Sequence, residues 1–173
     1  MVTAELLVLE SRIRLELQQL ERLSEELQKT LKPYKNRPVK NTIILRALGS
    51  ILHDFYSGCE KIFLHIAKEI DRTAPKSESW HRLLLEQMTL PLKGIRPPVI
   101  TSELAGELAP FLSFRHRFRH RYGFDLEWER MESLVKAMPD TVEHFQRTIN
   151  SFLDMLAEAD DREQNGGDHH GLQ

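Results

Sequence analysis

Asn41–Asp71 reads NTIILRALGSILHDFYSGCEKIFLHIAKEID, and its pattern decides the fold class. Ile44, Leu48, Ile51, Leu52, Phe55, Ile62, Phe63, Ile66 and Ile70 recur at helical spacing and cover most sides of one long helix. A helix that is apolar nearly all round belongs at the centre of a bundle, because only burial on several sides removes that surface from water. Asn41 is its natural cap, since a short side-chain oxygen ahead of the run accepts from the orphan N–H groups of the first turn. Cys59, the only cysteine, falls inside the helix and reads as core. A lone thiol excludes an intramolecular disulfide and a Cys-based zinc site.

On the N-terminal side, Ala4 to Leu31 carries Leu6, Leu9, Ile13, Leu17, Leu20, Leu27 and Leu31 on one stripe, with Glu, Gln, Arg and Lys elsewhere. Pro33 and Pro38 bracket the break before the central helix. On the C-terminal side, Ala74 to Lys76 form a turn, and Ser77 or Ser79 caps a short helix through about Met88. Pro91, Gly94, Pro97 and Pro98 make an irregular loop. Thr101 or Ser102 starts a fourth helix, expected to end near Tyr122-Gly123 with the glycine as the left-handed cap. A fifth spans Leu126 to Ala159, with a stop or kink at Pro139 and a fresh cap at Asp140. No stretch alternates with period 2 for long and no repeat is present. The expectation is an all-α, up-and-down bundle of four or five helices, one domain over residues 1–157, with a flexible polar tail at 158–173.

Composition narrows the function classes. The chain has 173 residues, 40% hydrophobic and 29% charged, with a formal net charge of −2. That describes an ordinary globular domain rather than a basic nucleic-acid coat, so any nucleic-acid site must be local. The N-terminus lacks a basic segment followed by a long apolar one, and no apolar run approaches the ~18 residues of a span. A cytoplasmic chain without membrane contact is expected.

The charge is concentrated in Phe114–Trp128, FRHRFRHRYGFDLEW, where Arg115 to Arg121 hold four arginines and two histidines. Wound as a helix, Phe111, Phe114, Phe118 and Tyr122 form an apolar stripe. Arg115, His116, Arg119 and His120 form a neighbouring wedge, while Arg117 and Arg121 point away. Fixed cations beside imidazoles suit binding and cleaving a phosphodiester. Cleavage of RNA needs a base for the 2′-hydroxyl, an acid for the leaving 5′-oxygen and a cation for charge on the phosphorane. Arg115 and His120 would flank one groove, which a second copy of the helix could wall. A solvated basic face is the plainer reading of the same spacing.

Other chemistry is weaker. His116 and His120, four apart, are too few ligands for a metal among arginines. A di-metal bundle needs two Glu-x-x-His motifs, and only Glu78 to His81 fits, at a helix start. His53-Asp54 is a polar step on the central helix, read either as a boundary pair or as a contact near the cleft. His65, His81 and His144 have no evident partner in sequence, and no phosphate loop or nucleophile elbow is present.

Arg115, His120 and Tyr122 match Arg-x4-His-x-Tyr, which resembles the motif of the HEPN superfamily and its HepT-like ribonuclease toxins. HDFYSGCEKIFLHIAKEID (His53–Asp71) and SWHRLLLEQM (Ser79–Met88) before it, and YGFDLEWERM after it, are similar to HepT-like helices in the same order. The resemblance covers Asn41 to Leu156, with the helix at 4–31 an addition to the compact core. It implies a homodimer whose motifs meet in a shared cleft and a metal-independent RNase leaving a 2′,3′-cyclic phosphate. It also implies pairing with a nucleotidyltransferase-type antitoxin that can adenylylate the motif tyrosine, here Tyr122. Where the superfamily often has Asn or Asp after the motif arginine, this chain has His116.

The expected assignment follows: His120 as general acid/base, Arg115 on the phosphate, His116 assisting, and Arg119 and Tyr122 contacting substrate. RNA (tRNA or mRNA) is the expected substrate, and no metal or cofactor is called for. The alternative is a non-catalytic module that scaffolds a nucleotidyltransferase or binds RNA or a nucleotide, with the leucine stripe of the first helix as a partner surface. A metal-dependent bundle enzyme is a third class.

Overall fold

The computed structural model describes residues 4–119, 122 and 125–166, with backbone alone at 161 and 163–166. Five α-helices are present among them: α1 (Ala4–Leu31), α2 (Thr42–Glu69), α3 (Trp80–Thr89), α4 (Ser102–Phe118) and α5 (Trp128–Gly166). A 3-10 turn at Lys32–Tyr34 ends α1. The all-α expectation holds, and α2 is central, packing against every other helix.

Pairings fix the directions. Arg12 meets Glu69 and Lys61 meets Glu16, so α1 and α2 are antiparallel. Arg14 bonds Asn150 and Gln146 reaches the Leu17 carbonyl, which sets α5 antiparallel to α1. Glu107 meets His144 across α4 and α5. The four long helices therefore run up, down, up, down, with short α3 laid beside α2 and α4.

The central helix behaves as its pattern dictates. Asn41 Oδ1 accepts from the N–H groups of Ile43 (2.9 Å) and Ile44 (3.3 Å). Leu48, Leu52, Phe55, Ile62, Phe63 and Ile66 are wholly buried. Phe55 meets Phe111 of α4 edge-on and Phe63 meets Phe145 of α5, each an aromatic contact beyond simple burial. The stripe of α1 (Leu9, Ile13, Leu17, Leu20, Leu27) is buried in this same core, so it is not a free partner surface.

Two helix ends depart from the sequence expectation. α5 continues through Pro139 as one element and on to Gly166, past Glu158 where a polar tail was expected. No stop or new cap forms, because Met138, Val142, Phe145, Ile149 and Phe152 continue one buried stripe across the proline. That packing outweighs the ~3 kcal/mol an interior proline costs. α4 likewise contains Pro110, and it ends at Phe118 rather than near Tyr122. Tyr122, which should have extended the stripe, is 73% exposed. A further turn would also set Arg117 over Arg121, a like-charge pair at spacing four. Gly123 lies outside the described residues.

Candidate functional site

The site is built where α2, α3 and α4 meet. On α2, His53, Ser57 and Glu60 make a polar row at spacings of four and three. Glu60 is 4% exposed, a charge that must be compensated where it sits. Compensation comes from Arg115 of α4, whose Nη2 lies 3.3 Å from Glu60 Oε1. Arg115 Nε–H donates to Ser57 Oγ (2.9 Å), and Ser57 in turn donates to the His53 carbonyl (2.8 Å). The guanidinium is thus fixed on two sides and held inward.

His81 of α3 completes the cluster. Its Nδ1 is 2.5 Å from Glu60 Oε2, a separation that requires a proton between nitrogen and carboxylate. This assigns the Nδ1–H tautomer, so the 3.4 Å approach of Arg115 Nη1 to the same nitrogen is a contact and not a second hydrogen bond. The His81 ring stacks on Trp80, centroids 3.7 Å apart. Of the five guanidinium N–H bonds of Arg115, one goes to Ser57, while Nη2 makes the ion pair with Glu60. The Arg115 side chain keeps 12% of its surface exposed.

Tyr56 lies within this electrostatic neighbourhood, fully buried, and its hydroxyl has no hydrogen-bond partner among the described residues. Burial pushes its phenol well above the ordinary value, Cys59 and Glu60 add to that, and Arg115 opposes it. Burial likewise raises the Cys59 thiol.

The expected site residues are distributed as follows. Arg115 is in the cluster. His116, Arg117 and Arg119 are exposed on the last turn of α4 and its cap. The structure therefore separates Arg115 from the wedge in which it was grouped with His116 and Arg119. Tyr122 is exposed beyond the helix end. His120 lies outside the described residues. His53 packs its ring against Phe118, centroids 5.6 Å apart, which brings that polar step beside the end of α4. Next to it a cavity of about 390 Å³ is lined by the rings of Phe114 and Phe118 and by two arginines and two carboxylates, Arg117, Arg130, Asp125 and Glu127.

Sequence reasoning missed Ser57, Glu60 and His81. The polar row on α2 was the available signal for the first two. His81 had none, because its partner is 21 residues away on another helix. The Glu78-x-x-His81 pattern has a different outcome from the one weighed: His81 serves Glu60, and no group of three or more His, Cys, Asp or Glu side chains gathers among the described residues. His65 and His144 also have carboxylate partners, Glu69 and Glu107. No described helix is long and apolar enough to cross a membrane.

No curated protein matches the chain. A family model described as HepT-like protein matches residues 47–156, which span α3, α4 and most of α2 and α5. By that match the chain belongs to the HepT-like proteins of the HEPN superfamily.

Proposed function

We propose that this protein is a metal-independent endoribonuclease and the toxin of a pair whose antitoxin is a nucleotidyltransferase. The observation that carries the reading is the HepT-like match over the segment holding Arg115, His120 and Tyr122. Arg115, clamped by Ser57 and Glu60 with N–H groups to spare, binds the scissile phosphate and stabilises charge on the phosphorane. His120 moves the proton, His116 assists, and Arg119 holds the RNA backbone through its phosphates. Tyr122, exposed as a modification target must be, positions substrate and is the residue an antitoxin would adenylylate. Two copies form a shared cleft.

The test is cleavage of total RNA, tRNA included, in EDTA by wild type and His120→Ala. Cleavage by wild type alone, leaving 2′,3′-cyclic phosphate and 5′-hydroxyl ends, is expected. Equal cleavage by both proteins would remove His120 from the mechanism. A monomeric mass at micromolar concentration would remove the shared cleft.

One observation favours the second reading, a non-catalytic scaffold. The Arg115–Glu60 pair is largely buried, and an ion pair of that kind can serve the fold alone. Unmodified wild type that binds RNA without cutting it would decide for the scaffold.

A further inference from the structure

We propose that His81, held by Glu60, is a second proton-transfer residue of this ribonuclease. The proposal rests on the ribonuclease reading and assigns to it a residue outside the Arg-x4-His-x-Tyr motif.

The geometry has three parts. Glu60 is buried and places one oxygen on each partner, Oε1 toward Arg115 at 3.3 Å and Oε2 toward His81 Nδ1 at 2.5 Å. A buried carboxylate on Nδ1–H fixes the imidazole in one tautomer and one orientation, leaving the Nε2 lone pair as the only base on the ring. No hydrogen bond engages Nε2 among the described residues, and the only described side-chain atoms buried without a partner are Tyr56 Oη and Trp128 Nε1. The His81 side chain keeps 22% of its surface exposed. The third part is proximity, since Arg115 Nη1 lies 3.4 Å from the same ring. A phosphate on the spare N–H groups of Arg115 sits beside His81.

Cleavage without a metal needs two proton transfers at opposite sides of phosphorus, and in this proposal His81 and the motif histidine divide them. Neutral His81 takes the 2′-hydroxyl proton on Nε2 as O2′ bonds to phosphorus. The P–O5′ bond breaks, and the 5′-oxygen takes a proton from the protonated motif histidine. The products are a 2′,3′-cyclic phosphate and a 5′-hydroxyl. One imidazole has gained a proton and the other has lost one, and exchange with water resets both. The imidazolium formed on His81 is stabilised by Glu60 and by the stacked Trp80 face. The charged groups facing His81 among the described residues are Glu60 from α2 and Arg115 from α4.

The test is single-turnover cleavage of a short RNA in EDTA across pH 5 to 9 by wild type, His81→Ala, His81→Gln and Glu60→Gln. Both His81 variants are expected to lose about 10²–10³ in rate and the acidic limb of a bell-shaped profile, with the melting temperature within a few degrees of wild type. The two substitutions guard against a failure of either to fold. Glu60 is a positioning residue, and its variant is expected to shift the His81 tautomer from Nδ1–H toward Nε2–H in ¹⁵N NMR. Wild type that cuts while folded His81 variants keep its rate and both limbs overturns this proposal alone. Wild type that does not cut overturns this proposal and the ribonuclease reading together.

Discussion

Arg96 closes on Asp71 with both arms of its fork, Nε to Oδ1 at 2.5 Å and Nη2 to Oδ2 at 2.7 Å, and neither side chain is exposed. The remaining N–H groups reach the carbonyls of Gln87, Leu90 and Pro97, and Gln87 Nε2 donates back to Asp71. The pair thus ties the end of α2 to the end of α3 and to the loop leading into α4. Gly94, with φ of 78°, makes the turn that brings Arg96 back beneath Leu92. Removing one partner leaves an uncompensated buried charge, so Asp71→Asn is expected to cost about 3–5 kcal/mol. Urea unfolding measures it. A cost below ~1 kcal/mol would mean that water reaches the pair.

Alkaline pH should loosen the fold well before the arginines titrate. Cys59 and Tyr56 are both held in their neutral forms by burial, with folded pKa values above the ordinary 9.0 and 10.0. A raised folded value means that the unfolded chain gives up these protons first. The associated stability is intact below pH 9 and is lost as pH climbs beyond it, by up to ~1.4 kcal/mol per pH unit for each group. Melting temperatures from pH 8 to 11 should fall, and Cys59→Ala should flatten the first part of that fall. The buried thiol should also ignore a disulfide reagent until the protein unfolds.

Tyr56→Phe is expected to be neutral or stabilising by about 1 kcal/mol. A buried hydroxyl with no partner pays its desolvation and regains nothing, and the substitution removes it while keeping the ring. A loss of more than ~1 kcal/mol in urea unfolding would show that Oη has a partner in solution.

The fold was legible because burial writes itself as periodicity. The α1 stripe, the apolar α2 and the Asn41 and Thr101 caps all act where their spacing put them, Thr101 Oγ1 accepting from Leu104 N–H at 3.1 Å. Pro139 marks a stop or kink in the sequence, yet long-range packing carries α5 through it as one element. The site was only half legible. Arg115 announces itself by local density of charge, whereas Glu60 and His81 matter through partners on other helices. Arg96 was hidden in the same way, as one residue of a proline-rich loop whose partner, Asp71, stands 25 positions earlier.

Two glycines of α2 should separate stability from activity. A methyl on Gly58 would stand 2.5 Å from Leu20 Cδ2, so the buried Leu20 must repack at the α1–α2 contact. Gly58→Ala is therefore expected to cost about 1–3 kcal/mol, while the RNA cleavage proposed above is expected to stay at the wild-type rate in the folded molecules. A methyl on Gly49 would stand 2.7 Å from Phe118 Cε2, but that ring is only partly buried at the last turn of α4. It can swing aside, and the better helix propensity of alanine, worth up to ~1 kcal/mol, offsets the strain. The displacement falls on the segment that leads into His120. Gly49→Ala should thus melt near wild type yet lose cleavage rate by at least tenfold. Paired melting and RNA-cleavage measurements on the two variants decide it, because equal activity losses would mean that the glycines serve packing alone.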